Sequence, residues 1–91
     1  MSLELILQAL SSPFSVLVLY LLDKYGEMKL TDILIHLGFS KYKAVRKAVL
    51  LLAEVGLVRI AVKKITPRVN AWTIRITDRG KRIVEAIKSI V

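Results

Sequence analysis

The chain contains no cysteine, a single histidine and two prolines, and it has no long apolar run. The lack of cysteine excludes disulfides, thiolate metal sites and cysteine nucleophiles. The longest uninterrupted apolar stretch, Val16–Leu22, is seven residues long, whereas a membrane span needs roughly 20 residues. The first residues, Met1–Glu4, lack the basic start of a signal peptide. We therefore expect a soluble, cytoplasmic protein without a membrane partner.

Acidic residues are scarce where basic residues concentrate. Residues 41–82 hold 12 of the 15 lysines and arginines but only the acids Glu54 and Asp78, which gives this segment a charge of +10. Residues 1–40 carry −2 and residues 83–91 are neutral. A charge this concentrated implies one positive face, and the commonest partner of such a face is a nucleic-acid backbone. The alternative is a solvated, highly charged surface with no partner.

The length of 91 residues fits one domain, residues 1–91, and 55% of the chain is apolar. A domain this small cannot bury that much apolar surface. We therefore expect a second apolar surface that contacts a partner, most simply another copy of the chain. Few amide side chains together with many lysines and arginines are typical of proteins from thermophiles.

Helix signals dominate the first half of the chain. Ser2 can cap a short helix that ends near Leu10, and Ser12 can cap a second helix, Pro13–Tyr25, with proline at its first position. This second helix is apolar on nearly every side and must be covered on more than one of them. A buried strand is the alternative for Val16–Leu22, but the capped start and the length favour a helix.

Two further helices follow a brief extended stretch at Glu27–Leu30. Thr31 is the predicted cap of a short helix, Asp32–Leu37, and Ser40 is the predicted cap of a helix that continues to about Val55.

The apolar period changes from helical to alternating after this point. Val58–Lys63 and Trp72–Thr77 alternate apolar and polar residues and are predicted to be strands of a hairpin. Lys64–Ala71, between them, is predicted to be a basic loop, and a final helix begins at Thr77 or Asp78.

Three stretches resemble motifs of winged helix-turn-helix proteins. Leu37–Ser40, an amphipathic helix and then Leu52–Val58 look like the pattern of that superfamily. Trp72–Lys81 is similar to the segment that leaves the wing in MarR- and PadR-like regulators, and Ala9–Pro13 is similar to the opening of ArsR-like regulators. Over nearly its whole length the chain thus resembles these prokaryotic transcriptional regulators, and archaeal ones in particular.

The resemblance implies an α+β fold with a three-helix core, a β-hairpin wing and a C-terminal helix. It implies a transcriptional regulator that binds double-stranded DNA, with residues 40–55 in the major groove and the wing, about residues 63–71, on the backbone and minor groove. A homodimer through the first and last helices is expected, with Ile83, Ile87 and Ile90 on its surface. Two alternatives remain open, a nonspecific nucleoid-associated architectural protein and a winged-helix module that binds other proteins.

Helical periodicity divides the predicted recognition helix into two sides. Val45, Ala48, Leu52 and Val55 face the core. The opposite arc holds Tyr42, Lys43, Arg46, Lys47 and Leu50. Arg46 has the planar fork that pairs with a guanine edge, whereas the lysines suit phosphates. The alternative is an ordinary solvated helix face.

The predicted wing adds further cations. Arg68 at its tip suits the minor groove, where the potential is negative, and Pro67 stiffens that tip. The alternative is a charged hairpin edge that resists edge-to-edge pairing. The roles of Arg79, Lys81 and Arg82 stay open. The complete predicted DNA-binding set is Ser40, Lys41, Tyr42, Lys43, Arg46, Lys47, Lys63, Lys64, Arg68, Asn70 and Arg75.

Other chemistry finds little support in the sequence. His36 has no cysteine or acidic cluster beside it, so we expect a structural histidine rather than a metal ligand. No glycine-rich phosphate loop, Ser/His/Asp set or pair of catalytic carboxylates can be assembled. The expectation is a binding protein that is not an enzyme and needs no cofactor or metal.

Overall fold

A computed structural model describes residues 3–67 and 69–90, with the backbone alone at residue 69. This part of the chain forms an α+β fold, as predicted, in which five α-helices and one short 3₁₀ helix surround a small antiparallel sheet. The elements in order are α1 (Leu3–Ala9), α2 (Pro13–Tyr25), β1 (Met28–Lys29), α3 (Leu30–Leu37), the 3₁₀ helix (Phe39–Lys41), α4 (Tyr42–Glu54), β2 (Val58–Thr66), β3 (Val69–Ile76) and α5 (Asp78–Ile90).

The predicted central helix α2 is confirmed with its predicted bounds. The Ser12 hydroxyl accepts a hydrogen bond from the Phe14 amide at 3.2 Å, and Pro13 occupies the first turn. Gly26, at φ +81°, ends the helix, since its amide donates to the Leu22 carbonyl. The buried residues of α2 cover one broad side of the helix, whereas Leu17 and Tyr20 on the opposite side are exposed. The alternative of a strand within it is wrong.

The predicted caps of the next two helices are wrong. The helix α3 begins at Leu30 rather than after Thr31, because the Asp32 carboxylate accepts a hydrogen bond from the Lys29 amide at 3.2 Å and satisfies the helix start. Ser40 does not cap α4, since it lies within the 3₁₀ helix that precedes it. The predicted cap of the first helix, Ser2, lies outside the described residues.

The sheet has the strand order β1–β3–β2, and its hairpin is longer than predicted. Met28 pairs with Ile74, and Val58 pairs with Ile76. Most of the predicted basic loop is strand, because the pairing continues to Thr66 opposite Val69 after a bulge. Cross-strand hydrogen bonds therefore order a segment whose alternation alone does not reveal a strand.

The core lies between α2, α4 and the sheet. The four residues predicted to face inward from α4, namely Val45, Ala48, Leu52 and Val55, are all buried. Val45, Leu52 and Val55 join a cluster that also contains Leu19 and Leu22 of α2, Ile33 of α3 and Leu57, Ile74 and Val84.

The start of α5 is joined to the end of α4 by a compact junction. The Thr77 hydroxyl donates to the Gly56 carbonyl at 2.7 Å and accepts from the Gly80 amide at 3.1 Å, which caps the helix. The Thr77 amide donates to the Leu57 carbonyl at 3.1 Å. The prediction that Thr77 or Asp78 begins this helix is thus confirmed, with Thr77 as the capping side chain.

Within residues 3–67 and 69–90, no one helix has the length and apolar character needed to cross a membrane. The helices α1 and α2 reach that length and composition only when they are taken together, and they meet at a bend of 90°.

Candidate functional site

The exposed side of α4 is strongly cationic. The residues predicted to lie opposite the core are all solvent-exposed: Tyr42, Lys43, Arg46, Lys47 and Leu50. The acidic residue of this helix, Glu54, is its last residue, so the first turns present hydrogen-bond donors without a neighbouring carboxylate on the same helix. The helix α4 is therefore amphipathic. Its apolar side packs in the core and its basic side faces solvent.

Ser40 and Lys41 lie one element before the helix that they were predicted to start. Both are exposed and both belong to the 3₁₀ helix, Phe39–Lys41. Because a 3₁₀ helix turns more steeply per residue than an α-helix, the α-helical wheel does not give their direction relative to Arg46. They remain next to the first turn of α4 in the chain.

Arg46 connects α4 to the hairpin. Its guanidinium carbon lies 5.0 Å from the centre of the Trp72 ring on β3, a cation–π distance. Trp72 is half-buried and packs against the core cluster, so its ring is a fixed platform. A guanidinium that rests on a ring uses its flat face, and its N–H donors at the rim stay free for other partners.

A groove of about 480 Å³ runs beside this contact, between α3, the first turns of α4 and the hairpin. Tyr42, Arg46, Asn70 and Trp72 line it together with Lys29. Arg46 and Trp72, which are 26 residues apart in sequence, therefore belong to one surface.

The inner side of the hairpin faces this groove. Lys64 and Asn70 are direct cross-strand partners, and Val62 pairs with Trp72 one step closer to the core. Because side chains alternate along a strand, these residues share the side of the sheet that carries Trp72. Lys64 and Asn70 thus lie on the same side of the hairpin as Trp72, which contacts Arg46 of α4.

Two of the predicted site residues lie elsewhere. Arg75 pairs with Arg59, and Lys63 follows Arg59 by four positions on the same strand, so all three share the outer side of the sheet. This side faces away from Trp72, so Lys63 and Arg75 do not share a surface with Lys64, although all three were predicted to contact the DNA backbone. Arg68, the predicted tip residue, lies outside the described residues.

Comparison with known proteins supports the fold. No protein-family model matches the sequence, and no curated protein matches it. Among solved structures, the chain is similar to the "Putative transcriptional regulator ytfH" from Salmonella typhimurium, with a TM-score of 0.80. The match has 18% sequence identity and covers 93% of this chain and 73% of that chain. The chain has a transcriptional-regulator-like fold.

Two residues of the candidate surfaces, Trp72 and Arg59, were not predicted from the sequence to belong to a site. The alternation of Arg59, Ala61 and Lys63 was a usable signal for a second cationic side, because alternate residues share one face. No comparable signal pointed to Trp72, whose contact with Arg46 depends on how the hairpin packs on α4.

His36 has a packing contact. Its ring stacks on the Tyr25 ring with the centroids 5.2 Å apart, which holds the end of α2 against α3.

Proposed function

We propose that this protein is a winged helix-turn-helix transcriptional regulator that binds double-stranded DNA and is not an enzyme. In this proposal, α4 enters the major groove and the β2–β3 hairpin is the wing that contacts the flanking backbone and minor groove. The observation that carries the proposal is the Arg46–Trp72 contact, because it joins the cationic side of α4 and the inner side of the hairpin into one positive surface.

The chemistry of this surface matches a duplex. Arg46 presents a planar fork at the centre of the exposed side of α4, where a guanine edge offers two acceptors. Lys43, Lys47 and Lys64 are exposed cations around it, and they suit phosphates, which position the protein without reading sequence. The similarity to a solved regulator-like structure supports this assignment at the level of the fold.

Selection of bound duplexes from a random pool, followed by a salt titration of the selected duplex, tests the function. We expect one enriched sequence and a slope of the logarithm of the association constant against the logarithm of the salt concentration of about −5, because about six phosphate contacts displace counterions. Salt-dependent binding without enrichment would favour a nonspecific nucleoid-associated architectural protein. The absence of binding at low salt would favour a protein–protein module.

One exposed apolar side chain of α4 would give that last alternative a defined surface. Leu50 is 46% exposed, one turn beyond Arg46 on the same side of α4. In a complex with DNA this side chain has a thymine methyl as its natural contact. In a protein–protein module it would be an apolar anchor.

A homodimer is the second part of the proposal. Large apolar side chains are exposed on α1 and at the end of α5, with Leu3 at 69%, Leu7 at 59% and Ile90 at 85%. Beside α1 lies a hollow of about 150 Å³ that is partly formed by Leu51 of α4. A dimer through these helices would place two copies of α4 on half-sites about one helical turn apart.

The exposed side of α1 allows the dimer to be tested without damage to the core. Leu3→Ser/Leu7→Ser changes two side chains four positions apart, which lie on one helix side. We expect sedimentation to give twice the 10.2 kDa chain mass for the wild type and the single chain mass for the variant. Ile35→Ser, at an exposed position of α3, is the control and should stay dimeric. A monomeric wild type contradicts the prediction.

A further inference from the structure

A second cationic surface lies on the outer side of the sheet. Arg59 and Arg75 are exposed direct partners in the β2–β3 register. Together with Lys81 of α5 and Asp78 they line a shallow hollow of about 400 Å³. We call Arg59, Lys63, Arg75 and Lys81 the outer basic surface.

The charges of the outer basic surface are poorly compensated within the protein. Like charges directly opposite each other destabilise an antiparallel strand pair, and Arg59 stands opposite Arg75. Across residues 3–67 and 69–90, neither arginine forms an ion pair, and Lys81 forms none either. Asp78 is the acid that shares the hollow with these cations. A bound anion would supply the missing compensation.

The outer basic surface is separated from the surface proposed to bind DNA. Trp72, which carries Arg46, points to one side of the sheet, and alternation places Arg59 and Arg75 on the other. A duplex that accepts α4 in its groove therefore meets the Trp72 side, while the outer basic surface still faces solvent.

We propose that the outer basic surface binds the phosphate backbone of a second DNA duplex, so that the protein holds two DNA segments together. This inference rests on the proposed function, since it assumes that the first duplex occupies the α4 side.

The shape of the surface favours a nucleic-acid backbone over an acidic protein. From Arg59 to Lys63 the strand spans about 13 Å, a length over which a duplex that runs parallel to the strand advances by about four nucleotides, at about 3.4 Å of helix axis each. Two arginine forks on paired strands suit phosphate oxygens. Protein partners, by contrast, are anchored by large apolar side chains in pockets, and the hollow is lined by charged and polar residues around the buried Ile76.

A two-step capture experiment tests the proposal. One duplex is immobilised and saturated with the full-length protein, unbound protein is removed, and a second, labelled duplex is added. The wild type is expected to capture the second duplex. Arg59→Gln/Arg75→Gln should bind the first duplex with an affinity within about twofold of the wild type, because those side chains lie away from α4. Its capture of the second duplex should fall at least about tenfold, since two phosphate contacts are lost.

A matched control separates this effect from a general loss of charge. Lys24→Gln/Lys88→Gln removes the same number of charges from α2 and α5, where Lys88 forms an exposed ion pair with Asp23 at 3.0 Å. This variant should capture the second duplex as the wild type does. Equal loss in both variants overturns the proposal.

Four further outcomes would overturn it. Undiminished capture by Arg59→Gln/Arg75→Gln would mean that two α4 surfaces of a dimer hold the two duplexes. A loss of first-duplex affinity in that variant would mean that both surfaces grip the same duplex. Capture of a poly-glutamate chain in place of the second duplex, dependent on Arg59 and Arg75, would assign the surface to an acidic protein. A wild type that binds no first duplex contradicts the proposed function itself, whereas one that binds the first and not the second contradicts only this inference.

Discussion

Gly80→Ala is expected to destabilise the protein by about 3 kcal/mol, the upper part of the range for overpacked sites. Gly80 is buried in the first turns of α5, and a Cβ atom built there would lie 2.7 Å from Cγ1 of Ile76 and closer still to the carbonyl oxygen of Leu57. The carbonyl of Leu57 belongs to the backbone and cannot rotate away as the end of a side chain can. The start of α5 must therefore move away from Leu57, the residue before β2. In a domain of this size the loss corresponds to a fall in Tm of about 12 to 24 °C.

The sign of the change makes this prediction decisive. In an open helix, alanine in place of glycine stabilises by about 1 kcal/mol, so an unchanged or raised Tm would show that the contact with Leu57 is not tight. Gly26→Ala is the matched control. Gly26 has a positive φ of +81° with ψ −144° and no atom within 4 Å of an added Cβ, so its expected loss of about 1–3 kcal/mol would come from backbone strain alone, without overpacking. Thermal unfolding of the three proteins gives the comparison.

The junction between the end of α4 and the start of α5, where Gly80 lies, explains the role of the sequence motifs. The stretch that ends in Gly56-Leu57-Val58 and the stretch that contains Thr77 and Gly80 carried the resemblance to winged helix-turn-helix regulators, and here they contact each other through the Thr77 hydroxyl. Their residues fix α5 onto the end of α4. These motifs therefore specify the scaffold, and the candidate DNA-binding surface is formed by other residues.

Most of the helices could be predicted because their signals are local. The Ser12 cap, the Pro13 start and the Gly26 stop all lie at the ends of the α2 segment, and the helix has these bounds in the structure. The predicted caps Thr31 and Ser40 failed because other groups satisfied the helix starts, namely the Asp32 carboxylate and a 3₁₀ turn. Several residues near a helix start can serve as caps, and local sequence does not select among them.

The hairpin shows the limit of local signals more clearly. Lys64–Thr66 are polar or break the alternation, yet they are strand because Val69 and Asn70 pair with them. A strand is stabilised by its partner rather than by its own propensity, so its length depends on contacts across the turn.

The part of the candidate site on α4 could be predicted from the sequence, whereas the part on the hairpin could not. The cationic side of α4 follows from the helical period alone, since the buried and exposed residues separate as the wheel predicts. The division of Lys64 from Arg75 across the two sides of the hairpin required the register of the strand pairs. The Arg46–Trp72 contact required the packing of the hairpin against α4, which no pattern in the sequence expresses.

Arg46→Ala is expected to weaken binding of the selected duplex by about 5- to 160-fold, because a bidentate arginine–guanine pair is worth about 1–3 kcal/mol. Binding to a random duplex should fall much less, so discrimination at one base pair should relax. Lys47→Ala, a change to its exposed neighbour, is the control. It should weaken both duplexes equally and reduce the salt slope by about 1. Titrations of both duplexes at several salt concentrations measure all of these quantities.

Arg46→Lys separates charge from geometry at this position. Lysine keeps the positive charge but lacks the planar fork, so we expect a near-normal salt slope together with lost discrimination. Equal losses on the selected and random duplexes in Arg46→Ala would instead make Arg46 a phosphate contact.

Trp72 should act through Arg46 and not on its own. Trp72→Leu keeps an apolar side chain against the core but removes the ring that supports the guanidinium at 5.0 Å. A cation–π contact at an exposed site is worth about 0.5–1 kcal/mol, so this variant should lose about 2- to 5-fold in affinity for the selected duplex. Once Arg46 is alanine, the same change should cost almost nothing further, because coupled residues do not add. Additive losses in that double-mutant cycle would show that Trp72 contacts DNA directly and that the surface reads through two independent side chains.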